Sequence, residues 1–147
     1  MLDLKIHNGL IIDGTGSPPY PADIGVSGNK IVLIGSIDQS ASETINAEGN
    51  IICPGFIDLH SHSDTSFLID SNAQSKLRQG VTLELNGNCG FSFSAPLKGP
   101  AVEIYRNSTF AESAEGIQTD WPTFSGYISA LKSTEMQINT ALQAGFQ

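Results

Sequence analysis

Basic residues are scarce in this chain. Seven Lys and Arg stand against 15 Asp and Glu, a formal net charge of −8, and the seven are scattered along the sequence. A polyanion finds no electrostatic footprint here, so nucleic acid is set aside as a partner. No apolar run approaches the roughly 18 residues that a membrane span requires, and Met1-Leu2-Asp3-Leu4-Lys5 has neither the basic start nor the long apolar centre of a signal peptide. The expected location is the cytoplasm, with no membrane partner. Cysteine is limited to Cys53, inside an apolar run that reads as a buried strand, and Cys89. Two thiols give no disulfide framework, and the reduced state is the one that metal binding needs. The Asn107-Ser108-Thr109 sequon has no secretory context and is read as coincidence.

Histidine occurs three times, and two of the three form His60-Ser61-His62, at the end of the run Ile51-Ile52-Cys53-Pro54-Gly55-Phe56-Ile57-Asp58-Leu59. In an extended strand, residues two apart face the same way. Two imidazoles so placed would sit about 7 Å apart at their bases and lean toward one point, which suits a divalent metal. The run itself reads as a strand buried on both faces, and Ser63-Asp64-Thr65-Ser66 as the loop leaving it. An H-x-H pair also describes the polar face of an ordinary sheet; this pair is set apart by standing where a buried strand gives way to loop. His7, beside an Asn8-Gly9 turn, reads as a solvated surface residue.

The stretch Gly80-Val81-Thr82-Leu83-Glu84-Leu85-Asn86-Gly87-Asn88-Cys89-Gly90 reads as a second strand ending in a glycine-flanked cysteine. Glycines let the backbone turn sharply and bring a thiol in front of the strand end. A lone cysteine is ordinarily a small buried hydrophobe. A thiolate beside two imidazoles is a soft N/S set suited to zinc, so His60, His62 and Cys89 are the candidate ligands. Asp58 shares parity with the histidines but lies below the strand end, and is assigned a structural role. Asp64 has no assigned role, and Glu84, in mid-strand, needs a paired partner if buried.

The chain divides at Pro54-Gly55. Residues 1–54 carry short β-prone runs at 4–7, 10–12, 22–26, 30–34, 43–46 and 51–53, with turns at Asn8-Gly9, Gly28-Asn29 and Glu48-Gly49-Asn50. A small antiparallel sheet or sandwich is expected. Gly14-Thr15-Gly16 is no dinucleotide motif, because Pro18-Pro19 follows where a helix should start. From residue 55 the pattern becomes strand, helix, strand. Asp70 or Ser71 caps a helix through Ala73, Leu77 and Arg78, and Gly80 ends it. Trp121, Phe124, Ile128 and Leu131 give a core-facing helix capped by Asp120 or Thr119, and residues 137–142 a third strand. Residues 96–119 read as an inserted loop with a short helix. Both candidate ligand positions then fall at carboxyl ends of consecutive parallel strands, the face on which α/β barrels place their chemistry.

Pro54-Gly55-Phe56-Ile57-Asp58-Leu59-His60-Ser61-His62 resembles the first barrel strand of the amidohydrolase superfamily. Arg78-Gln79-Gly80-Val81-Thr82 followed by Gly87-Asn88-Cys89-Gly90-Phe91-Ser92 resembles the N-acyl-D-amino-acid deacylase (D-aminoacylase) branch, as does the opening Ile6-His7-Asn8-Gly9-Leu10-Ile11-Ile12-Asp13-Gly14-Thr15-Gly16. The resemblance implies an α/β fold: the start of a metal-dependent-hydrolase TIM-type (β/α) barrel at residues 55–147, preceded by a small β-sandwich domain at residues 1–54, both incomplete. It implies Zn2+ as cofactor, with His60 and His62 in the metal site and Cys89 on the tightly held zinc, where several relatives use a carboxylated lysine. It implies hydrolysis of small-molecule N-acyl-D-amino acids to a carboxylate and a D-amino acid. The general base and the groups that grip the substrate come from later strands in such enzymes, so no catalytic residue is assigned within this chain.

Two other readings stay open: a cyclic-amide hydrolase of the dihydroorotase or hydantoinase kind, which would use a lysine-derived ligand in place of Cys89, and a noncatalytic fragment that only binds metal or a partner chain. An eight-stranded barrel takes about 250 residues, and this chain has 147. An inactive amino-terminal fragment is therefore expected, with an unpaired sheet edge and a half-covered core. The 147 residues alone should aggregate or melt without a sharp transition; cooperative thermal unfolding of a soluble monomer overturns that expectation.

Overall fold

The computed structural model describes residues 1–90, 92, 98–100, 103, 104, 107 and 121–144. They fall into two compact units, Met1–Pro54 and Gly55–Gln147.

The first unit is one mixed sheet of five strands, β1 (Leu2–Ile11), β2 (Tyr20–Ser27), β3 (Lys30–Gly35), β4 (Ala41–Asn46) and β5 (Ile51–Ile52), ordered β3-β2-β1-β4 with β5 also on β1. The antiparallel expectation holds for β1 with β2 and β2 with β3, joined at Gly28-Asn29, where both residues take the positive φ of a tight hairpin turn. It fails for β4 and β5, which pair parallel to β1. The cause is residues 36–40, which carry the chain from β3 to the opposite edge of the sheet. Ile37, on this crossover, is buried where Gly25 has no side chain, and an added Cβ there would come 3.2 Å from Ile37 Cδ1. Its amide donates to Asp23 Oδ2 at 3.3 Å, and its carbonyl accepts from Lys5 Nζ.

Asn8-Gly9 is no turn between strands. It is a bulge inside β1, with Asn8 at φ 59 and four residues of β1 (Ile6 to Gly9) set against three of β2 (Ile24 to Ala22). The neighbouring edge shows why. β4 ends opposite His7 and β5 begins opposite Leu10, and the turn between them hydrogen-bonds to the bulge through Ala47 N to His7 O and Gly49 N to Asn8 O, each 2.8 Å. His7 is half-buried on this strand.

The second unit holds a three-stranded parallel sheet, β6 (Phe56–Asp58), β7 (Val81–Asn86) and β8 (Asn139–Leu142), in the order β6-β7-β8. The run from Ile51 to Leu59 is thus split by Pro54-Gly55 between two sheets, and it is not a buried strand. Phe56, Ile57 and Leu59 are more than half exposed, and Cys53 is an exposed free thiol. The expected helix before β7 is cut short as well. Ser66–Ile69 (α1) and Gln74–Leu77 (α2) are single turns. Asp70 spends its carboxylate on the Asn72 amide at 3.0 Å, and Ala73 takes φ 47, which no helix interior tolerates.

The later helix, α3 (Phe124–Lys132), is capped by Thr123, whose hydroxyl accepts from Gly126 N at 3.1 Å. Thr119 and Asp120 lie outside the described residues, as does most of 96–119. The core-facing stripe is present but shifted: Tyr127 and Leu131 are its buried members, and Trp121 packs ahead of the helix with its ring 4.9 Å from that of Tyr127. Phe67 and Ile138 complete this core. Tyr127 is wholly buried, and its hydroxyl donates to Asp64 O at 2.7 Å.

At the strand ends, Gly87 sits at φ 84 against β8. A Cβ there would lie 2.5 Å from Gln143 O. Two predictions follow from this packing, both read by urea denaturation. Tyr127→Phe should cost about 1–2 kcal/mol, since it orphans a buried carbonyl without leaving a void, and Tyr127→Ala roughly 3–5 kcal/mol. Gly87→Ala should cost more than Gly90→Ala: both have positive φ, but only at Gly87 does an added methyl strike backbone.

Candidate metal centre

Parallel pairing of β6 with β7 sets Asp58 opposite Glu84 and brings the carboxyl ends of both strands to one rim. Regular strand stops at Asp58, so His60 and His62 lie just beyond it rather than within it. They are nonetheless held in place. Ser61 N donates to Leu85 O at 3.1 Å, prolonging the ladder past the strand. His60 N donates to Asp58 Oδ1 at 3.1 Å, Ser63 N to Asn86 Oδ1 at 2.8 Å, and Asn88 Nδ2 to Ser61 O at 3.1 Å and Leu85 O at 2.7 Å. The end of β7 therefore grips the His60-Ser61-His62 segment through two buried asparagine side chains.

Cys89 follows with φ 58, and Gly90 with φ 75. That reversal carries the thiol back to the histidines. His60 Nε2 lies 3.1 Å from Cys89 Sγ, and the imidazole centroids of His60 and His62 are 5.4 Å apart. One donor atom from each of the three residues lies within 4.8 Å of the other two. Tetrahedral zinc, with bonds of about 2.0–2.3 Å, spaces its ligand atoms roughly 3.3–3.7 Å apart. Two imidazoles and a thiol at these separations fit such an ion with small side-chain adjustment, and their N/S chemistry is of the kind zinc accepts. His60 and Cys89 are exposed and His62 is half-buried, so the cluster is open to solvent on one side.

Charged groups lie beneath the cluster. Asp58 is no part of it, because its Oδ2 is engaged by Lys76 Nζ at 2.6 Å. The ammonium holds the Asp58 carboxyl below the usual carboxylate range, and the same contact raises Lys76 above its ordinary value. Glu84 is wholly buried, and Lys76 Nζ lies 3.2 Å from its Oε1, which supplies the partner its mid-strand position demands. Asp64 is also buried. Its Oδ2 accepts from Gly87 N at 3.4 Å, and desolvation pushes its carboxyl above the usual range. Sequence reasoning did not reach Lys76, Asn86 or Asn88. A usable signal for Lys76 was the unpaired Glu84; asparagines at and just past a strand end carry none.

Residues 43–143 match the sequence profile of the Amidohydrolase family. The chain is 33% identical over 144 residues to the D-aminoacylase of Alcaligenes xylosoxydans xylosoxydans, covering 97% of this chain and 29% of that one. Among solved structures it superposes on a D-aminoacylase studied for its binuclear metal centre, with a TM-score of 0.85 and 34% identity, covering 99% of this chain and 30% of the other. It also superposes on N-acyl-D-glutamate deacylase from Bordetella bronchiseptica, solved with zinc and a phosphonate inhibitor, with a TM-score of 0.78 and 38% identity, covering 98% and 29%. The chain thus spans less than a third of the length of these relatives. With a profile match over residues 43–143 and relatives aligned over nearly every residue, the chain belongs to the amidohydrolase family.

Proposed function

We propose that the protein bearing this sequence is a zinc-dependent hydrolase that cleaves the amide bond of N-acyl-D-amino acids to a carboxylate and a D-amino acid. In this reading β6, β7 and β8 are the first strands of a (β/α) barrel, residues 1–54 are part of a small β domain beside it, and His60, His62 and Cys89 are metal ligands. The observation that carries the reading is the convergence of those three donor groups at the carboxyl ends of adjacent parallel strands. The D-aminoacylase and deacylase relatives, one of them solved with zinc, supply the substrate class.

Zinc bound there supplies Lewis acidity toward an amide carbonyl and makes water nucleophilic near neutral pH. The residues of this chain hold and orient. His60 is fixed through its own amide by Asp58, His62 is bracketed by the Ser61 and Ser63 main-chain bonds, and Cys89 closes the set from β7. The three ligands leave room for others and for substrate on the exposed side. No residue of this chain is proposed as the general base or as a grip on the substrate carboxylate. A cyclic-amide hydrolase would put a lysine-derived ligand where Cys89 stands, and Lys76, the lysine near the cluster, is occupied by Asp58 and Glu84.

Replacing Cys89 by Ala in the complete protein is expected to strip bound zinc and abolish zinc-dependent deacylation of an N-acetyl-D-amino acid. Metal content and turnover equal to wild type remove Cys89 from the site.

A further inference from the structure

Asp58 and Glu84 are direct partners in the β6–β7 ladder, so their side chains stand next to each other on one face of the sheet. Two carboxylates in neighbouring register repel, and Glu84 is wholly buried, where an unpaired charge is costly. Lys76 resolves both problems from α2. Its ammonium donates to Asp58 Oδ2 at 2.6 Å and to Ser61 Oγ at 3.4 Å, and pairs as a charge with Glu84 Oε1 at 3.2 Å.

The contacts run on from there to both sides of the histidine segment. Asp58 Oδ1 accepts from the His60 amide at 3.1 Å. Glu84 Oε2 accepts from Asn86 Nδ2 at 3.4 Å, and Asn86 Oδ1 accepts from the Ser63 amide at 2.8 Å. A lysine serving only to neutralise Glu84 would not need its shortest contact on Asp58, the residue that holds His60.

We infer that Lys76 is a positioning residue of the metal centre: by clamping Asp58 and Glu84 it fixes the main chain around His60 and keeps two carboxylates from joining the two imidazoles and the thiolate on the cation. The inference rests on the metal-centre reading given above. It adds a role for a residue on a short helix outside both ligand-bearing strands. Freed of Lys76, Asp58 would release the His60 amide and present a hard oxygen ligand beside a soft donor set.

The test measures zinc affinity by chelator competition, and the absorption of the cobalt(II) form, on the purified complete protein after metal removal. Wild type is expected to show a thiolate-to-cobalt band that Cys89→Ala lacks. If wild type shows no such band, the metal-centre reading itself falls, and this inference with it. The double variant Lys76→Met with Glu84→Gln removes the cation together with the charge of its buried partner. It should keep the wild-type circular dichroism yet bind zinc about 10–100-fold more weakly, with displaced cobalt bands. Asp58→Ala, which leaves Lys76 and Glu84 paired, should lose affinity on the same scale, and combining all three changes should lose no more than the larger single effect. Wild-type affinity and spectrum in either variant, or additive losses in the combination, overturn the positioning role while the metal site stands. Should the double variant fail to fold, Asp58→Ala decides alone.

Discussion

Parallel pairing between β6 and β7 is the constraint on which the rest of the second unit depends. Strands that run the same way release their carboxyl ends on the same side, and the register that sets Asp58 against Glu84 decides which side chains arrive there together. Strand alternation alone would not gather the three donors. Continued from Glu84 and Asn86, it would turn Cys89 away from the face that Asp58 occupies. Positive φ at Gly87 and at Cys89 itself breaks the alternation and brings the sulfur to 3.1 Å from His60. Gln143, just past β8, takes part in holding this turn, its amide donating to Asn86 O at 3.0 Å.

Beneath the rim the protein has built with polar side chains where an apolar core would be the cheaper choice. Ser61, Asp64, Glu84, Asn86, Asn88 and Ser92 are all buried. Asn86 links Ser63, Glu84 and Thr140, and Asn88 links Ser61, Leu85 and Gln143, so each asparagine joins two or three elements. Such a network is stiff when its members are satisfied, because no other arrangement satisfies them as well. It is also tied to the apolar core. Tyr127, packed against Trp121 and itself part of α3, donates its hydroxyl to the Asp64 carbonyl, two residues past His62.

Much of this was legible in the residues. Spacing and flanking glycines point to His60, His62 and Cys89, and those three lie together. The strand expected within residues 80–90, the third strand expected at 137–142 and the helix expected from the apolar spacing up to Leu131 are present as β7, β8 and α3. The failures share one cause, which is that long-range partners decide what local pattern leaves open. The apolar run before His60 reads as one strand until Pro54-Gly55 is seen to pass it from one sheet to another, and Asn8-Gly9 has the composition of a turn but the environment of a bulge. Nothing near residues 36–40 announces a crossover to the far edge of the sheet. Lys76 is likewise unremarkable on its own helix and acquires its meaning only from two carboxylates brought in by different strands.

The bulge in β1 has a consequence for how this sheet tolerates insertions and deletions. Across Asn8 the strand changes parity, so even-numbered Leu4 and Ile6 and odd-numbered Gly9 and Ile11 project to a common side. β1 thus works as two half-strands spliced out of phase, each matched to its own short neighbour, β4 or β5. Losing one residue at the splice would restore a continuous pleat with Ile6, Gly9 and Ile11 still on one side, so what a deletion forfeits is the bulge and its bonds to the turn between β4 and β5. Asn8 is thus a position in β1 whose loss leaves both half-strands facing as they do, while the hold on the turn between β4 and β5 is what its presence adds.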